Sequence, residues 1–353
     1  MKNITKTLLV LVSSLSISFA AVAGEVALTG SAKASYSLNG TDDSMGKGIG
    51  ISNELKVAAS GDWGDGYTWN YHLDLDPGAS GAMVQDDAAL VLGFGDMGTV
   101  GFFDGEGSLH SNLAWGIGAL GTGSDYAGTM TISYGNDIDA EANIQYHTPA
   151  DLLPFGITAK VGYVPNVSDA AGGNDFKSKG TINPHQAGGN QYVQYRVDAT
   201  PIDGLKIGAD YSTEDGGETG TAQSEESGAY YAQYAFGNFK VGYGKSLYAP
   251  SLSDKQTAII LYDTTSYGLE FAVNDALSVS VTNEKSDTTK NNAIASGASG
   301  SVKTKVEADI DTYQVAYVIG GATLGVAITE TANADYVSGK EEKVTVFSLA
   351  MEF

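Results

Sequence analysis

The chain contains no cysteine, which leaves it neither a disulfide framework nor a thiolate metal site. Small folds stapled by disulfides are excluded. Proline is scarce, with 7 in 353 residues, and Arg196 is the single arginine. Positive charge is also thin, since 19 Lys and Arg stand against 42 Asp and Glu for a formal net charge of −23. So acidic a chain repels phosphate backbones, and nucleic acid is not an expected partner. Beyond the N-terminal segment no stretch approaches the ~20 consecutive apolar residues of a membrane-spanning helix. The four histidines, His72, His110, His147 and His185, show no H-x-x-x-H spacing, and neither G-x-S-x-G nor a phosphate-binding loop occurs. No catalytic residues, no metal ligands and no cofactor are therefore expected, and the chain is not read as an enzyme. A Ca²⁺ ion held by Asp42 and Asp43, or by Asp86 and Asp87, is the weaker reading of those acidic pairs, because no D-x-D-x-D-G loop with a distal Glu accompanies them.

At the N-terminus, Lys2 and Lys6 precede the apolar run from Leu8 to Ala20, followed by Ala21-Val22-Ala23 and then Gly24-Glu25. A run this short, ending in an A-x-A site, has the form of a cleavable secretory signal. Cleavage is expected after Ala23, which excludes 1–23 from the fold and leaves 24–353 as a single domain. Loss of Lys2 and Lys6 takes the formal charge from −23 to −25.

The remainder is rich in Gly and Tyr, at 46 and 20 residues, which suits many short strands with tight turns and interfacial aromatics. Apolar and polar side chains alternate in segments of about ten residues, the strand period rather than the helical one. Tyr67 to Leu75 and Leu277 to Thr282 are typical. Connection lengths also alternate. Short ones fall near 61–66, 95–98, 149–155, 202–204, 237–238, 275–276 and 320–321. Long ones fall near 39–47, 77–86, 105–139, 166–190, 215–227, 249–257, 286–305 and 332–342. The expected fold is all-β: a 16-stranded antiparallel transmembrane β-barrel with short periplasmic turns and long extracellular loops, an even count that brings both termini to one side. The alternating segment Thr129 to Tyr134 is assigned to the 105–139 loop, because a further strand would put the long 166–190 connection at the short-turn rim.

The last strand runs from Lys343 to Phe353 with Phe347, Leu349, Met351 and Phe353 on one face. This resembles the C-terminal signature of Gram-negative outer-membrane proteins, whose final Phe is read by the barrel-assembly machinery. Phe94 to Gly101 (FGDMGTVG), Ile144 to Pro149 followed by Gly156, and the opening Glu25 to Gly30 together resemble the general diffusion porins. The resemblance spans essentially the whole mature chain. It implies an inward-folded third loop at about 105–139, a homotrimer joined at its first strands, periplasmic chaperones, contact with outer-membrane lipid and lipopolysaccharide, and residence in the outer membrane.

Strand phase places Lys33, Glu54, Lys56, Asn70, His72, Asp74, Glu141, Gln145, Lys160, Gln194, Arg196, Asp198, Lys206, Asp210, Lys240, Glu270 and Glu284 on the interior face. In the resembled family a basic cluster on early strands faces carboxylates of the inward loop. Lys33, Lys56 and His72 match the former, with Asp74 beside them, and Asp104, Glu106 and Asp125 are the acidic candidates near or within the loop. The dense arginine ladder common in that family is missing, since Arg196, near Asp198, sits on a later strand. The expected function is passive diffusion of small hydrophilic solutes and ions, with mild cation preference from acidic loops such as Asp215 to Ser227. A substrate-specific sugar or anion channel, and a secreted adhesive β-protein with strand faces buried in a sandwich, are the alternatives.

Overall fold

The computed structural model describes residues 24–39, 47–77, 83–122, 126, 130–165, 167, 191–215, 222–252, 255–293 and 301–353. Sixteen strands close on themselves, each hydrogen-bonded to its neighbours in sequence, with β1 pairing β16. They are β1 (Val26–Asn39), β2 (Gly48–Gly64), β3 (Tyr67–Pro77), β4 (Met83–Gly93), β5 (Thr99–Asp104), β6 (Asn143–His147), β7 (Thr158–Val164) and β8 (Gln191–Ile202) in the first half. The second half comprises β9 (Leu205–Asp215), β10 (Glu226–Phe236), β11 (Phe239–Ala249), β12 (Ile259–Ala272), β13 (Leu277–Ala293), β14 (Ser301–Ile319), β15 (Ala322–Ala332) and β16 (Glu341–Glu352). Every pairing is antiparallel. Closure satisfies the backbone groups an open edge would leave bare.

Alternation decides which side each side chain takes. Tyr313, Val315 and Tyr317 on β14, and Phe347, Leu349, Met351 and Phe353 at the C-terminus, are large apolar groups exposed on the outer face, Tyr313 at 51% and Phe353 at 73%. Next to them in sequence lie buried Thr312, Gln314 and Ser348. An apolar outside with a polar inside is the inverse of a water-soluble sandwich, whose apolar faces are covered. The adhesive sandwich is thereby set aside. Among the described residues no helix is long and apolar enough to cross a membrane.

The seam between first and last strands ends at a glycine. Gly30 N–H donates to Phe353 O at 2.8 Å and Phe353 N–H donates back to Gly30 O at 2.9 Å. A Cβ on Gly30 would lie 2.8 Å from the Phe353 ring, so the terminal aromatic lies over the space that glycine leaves. The small size of Gly30 thus has a cause within the barrel itself.

Connections follow the short-long rhythm with local differences. Gly320-Gly321 turns β14 into β15 with positive φ at both residues, 57° and 85°. The connection expected at 286–305 is much shorter, because β13 and β14 pair without interruption from Leu277↔Tyr317 to Ala293↔Ser301. The outward face of that ribbon's outer half is polar, with Lys285, Asp287, Glu307 and Asp309 where lipid-facing apolar groups are expected, which removes the outward apolar period by which a strand is read. On its outward side Lys285 pairs with Asp309 at 2.9 Å, while Lys343 of β16 bonds Glu330 of β15. Asp86, expected at the end of the 77–86 connection, belongs with Asp87 to β4.

Candidate functional site

The segment joining β5 to β6 enters the barrel and travels along its wall. Leu109 and His110 begin the path, their amides donating to the Asp137 carboxylate at 3.0 and 3.2 Å and so tying the outgoing limb to the returning one. Asp210 of β9 accepts from Ser111 N–H at 2.6 Å, Ser111 Oγ at 2.5 Å and His110 Nδ1 at 3.2 Å. Gln233 of β10 donates to Gly116 O at 3.0 Å; Ala119 N–H donates to Ser280 Oγ at 2.8 Å; Leu120 N–H donates to Gln314 Oε1 at 3.0 Å. Tyr126 then accepts from Lys33 Nζ at 3.3 Å, with its ring centroid 5.2 Å from that ammonium. The returning limb places the Tyr134 hydroxyl on Glu284 and donates Ile138 N–H to Gln194 Oε1 at 2.9 Å.

A row of wall glycines makes room for this path. A Cβ on Gly242 would meet Trp115 O at 2.2 Å, on Gly244 Trp115 Cδ1 at 2.3 Å, and on Gly268 Ile117 Cγ1 at 2.6 Å. Trp115 is 0% exposed, in a trough that β11 and β12 open by lacking side chains at those three interior positions. Each buried apolar anchor of this size stabilises the docked loop by about 1.5–3 kcal/mol. Met130, Ile132 and Tyr134 pack on Ala308, Ile310 and Ala334, and Leu109 and Ile138 on Val164 and Tyr192. Met130 to Tyr134 forms no strand of the barrel, in keeping with its assignment to the loop.

On β2 to β4 the wall carries charge instead. Lys56 Nζ donates to Asp74 Oδ2 at 2.8 Å across directly paired residues of β2 and β3. His72, two residues before Asp74 and on the same face, hydrogen-bonds Glu106 at the start of the loop. Opposite Asp74 the β3–β4 register slips between Leu73 and Leu75, so that Asp86 and Asp87 together face one residue of β3. Such a bulge re-aims side chains, and it brings Asp87 into the electrostatic field of Asp74 and Glu106.

A second charged group lies further round. Arg196 of β8 donates to Asp198 through Nε at 2.7 Å and Nη2 at 3.0 Å, and through Nη1 to His110 O at 3.0 Å. Lys160 of β7 is its direct partner in register. Tyr231 of β10 donates to Asp198 Oδ1 at 2.9 Å.

Of the residues singled out from sequence, Lys56, His72, Asp74 and Glu106 come together, and Lys33 meets the loop separately through Tyr126. Arg196 and Asp198 form their own pair. Asp104 closes β5 in the phase of Phe102, which is exposed on the outer face, so strand geometry turns it away from the cluster. Asp125, like Asp42 and Asp43, lies outside the described residues. The glycines at 242, 244 and 268 escape a sequence reading, although their shared interior phase on adjacent strands is the signal that identifies them.

Three solved structures of similar shape cover nearly the whole molecule. A loop-deletion mutant of OmpT, an outer membrane protein of Vibrio cholerae, shares 15% identity over 94% of this chain and 99% of its own, at a TM-score of 0.67. An anion-selective porin from Comamonas acidovorans shares 14% over 93% and 99%, at 0.66. The fold is that of the outer-membrane porins. The Salmonella typhi OmpF complex with daunomycin agrees, at 14% identity over 94% of this chain and 98% of that one, with a TM-score of 0.64. No protein-family model matches the sequence, and no curated protein sequence matches it significantly. At such identities the likeness speaks for the porin fold and leaves the interior chemistry to this chain's own residues.

Proposed function

We propose that this protein is an outer-membrane channel through which small hydrophilic solutes and ions diffuse passively, with a mild preference for cations. The observation that carries the proposal is the interior of the closed barrel, where the loop is bonded along β9 to β14 and its root carboxylate Glu106 meets a charged wall of Lys56, His72 and Asp74. Opposed fixed charges orient water and polar solutes and make passage of apolar ones costly. Asp74, Asp87 and Glu106 outnumber Lys56 there, and the formal charge of −25 left after removal of Lys2 and Lys6 from the −23 of the whole chain adds a negative potential.

The remaining parts of the reading follow from the same chain. Residues 1–23 direct export and are removed, and the Phe347, Leu349, Met351 and Phe353 face guides assembly by the periplasmic barrel machinery into lipid and lipopolysaccharide. Ile49 and Ile51 on β2 are highly exposed beside Ala34 of β1, an apolar and partly small-residue surface suited to contact between barrels in a homotrimer. A KCl gradient across a planar bilayer tests the ion preference. A reversal potential favouring potassium supports it, and one favouring chloride rejects it.

A further inference from the structure

We infer that the wall of β3 and the root of the inward loop form a binding site for a divalent transition-metal ion, held by His72, Asp74 and Glu106. One ligand atom from each lies within 4.8 Å of the other two. Donors around a single zinc ion, at about 2.0–2.2 Å each, can be at most about 4.4 Å apart, so this set lies within a few tenths of an ångström of the span a zinc ion needs.

Two further observations point to a ligand here. Asp74 is only 6% exposed, yet its Oδ1 has no hydrogen-bond partner, while Lys56 holds Oδ2 at 2.8 Å and so fixes the carboxylate with its other oxygen left bare. Asp87 Oδ1, brought opposite Asp74 by the β4 bulge, is also buried without a partner. Buried carboxylate oxygens left bare are costly, and a cation satisfies them. The ion would take the place of the proton between His72 Nε2 and Glu106.

The donor chemistry sets the class. An imidazole with carboxylates suits Zn²⁺ and its neighbours, whereas Ca²⁺ and Mg²⁺ prefer oxygen alone. The site differs in kind from the acidic pairs suspected in the sequence, because it needs residues from β3 and the loop that no local spacing reveals. Where the proposed channel conducts, an ion at this position occupies the charged wall and reduces current.

Equilibrium dialysis of the folded protein in detergent against Zn²⁺ tests the site without reference to conduction. The wild type should retain zinc in competition with millimolar Ca²⁺. His72→Gln and Glu106→Gln should each weaken retention by roughly tenfold or more, since even outer-shell partners cost about 10–100-fold. Both variants should keep the wild-type heat-modifiable gel migration that marks a folded barrel. Equal zinc retention by wild type and both folded variants, or displacement of zinc by equimolar Ca²⁺, overturns the site. In bilayers, Zn²⁺ should lower the wild-type current reversibly with EDTA and leave that of His72→Gln unchanged. Zinc retention without any current in EDTA would refute the channel and leave the metal site standing.

Discussion

Lys56 and Asp74 face each other as a direct cross-strand pair, their charged atoms 2.8 Å apart, on the stretch of wall that also holds His72. Asp74 is buried while Lys56 keeps about a third of its side chain accessible, so the pair is only partly shielded from screening. Its value to stability is accordingly at most about 1 kcal/mol. In the proposed channel its larger effect is on the field felt by a passing ion.

Asp74→Asn removes a negative charge from that wall and leaves Lys56 uncompensated. Reversal potentials in a KCl gradient should move toward chloride relative to wild type, and Lys56→Met should move them toward potassium. Shifts of the same sign in both variants would show that this pair does not set selectivity.

The loop is held to β9 by Asp210, whose Oδ1 accepts from Ser111 and His110. Asp210→Ala orphans those donors in a buried place, at about 1–3 kcal/mol for each group left unsatisfied. The loss falls on the loop rather than the strand ladders. Open-channel current should become noisier, with gel migration of the folded barrel unchanged.

Trp115 fills the trough left by Gly244, where a Cβ would approach its Cδ1 to 2.3 Å. Gly244→Val therefore forces the indole out of its pocket, an overpacking cost of about 1–3 kcal/mol. Fluorescence should shift to the red through Trp115, and the same substitution made with Trp115→Phe should produce no such shift.

Glu225, just before β10 at the long-loop rim, is buried, and this burial pushes its carboxyl up to about 7, with Glu214 adding to the effect. Asp139 in the loop moves the same way, to about 6, through burial and then Asp137. A raised carboxyl keeps in the fold a proton that the unfolded chain releases at its ordinary value of 4.5 for Glu225. Stability should thus fall as pH rises from about 4.5 to 7 and level off above. Thermal unfolding in detergent at pH 6 and 8 checks this, and Glu225→Gln should reduce the difference.

Strand number and order were legible because apolar groups facing outward impose a two-residue period that turns interrupt. Where that period fails, so does the reading. The distal parts of β13 and β14 are polar on the outward side, and the apolar Ala308 and Ile310 face the loop instead of lipid, so a ribbon held by continuous pairing looks like a loop. Asp104 and Glu106 stand two residues apart, yet the strand ends between them, and only the latter meets His72. The slip at Asp86 and Asp87 depends on how two strands align, which neither strand encodes alone. Lys56, His72 and Asp74 were found because each lies within a regular strand, where phase alone decides the side.

The claim beneath all of this is that the barrel encloses an aqueous path lined by those charges. Recording currents from the purified, folded protein in a planar bilayer tests it most directly. Discrete steps of uniform size, proportional to voltage and to salt concentration, are the predicted result. A bilayer whose current stays at baseline, although the folded protein has demonstrably inserted, would contradict it.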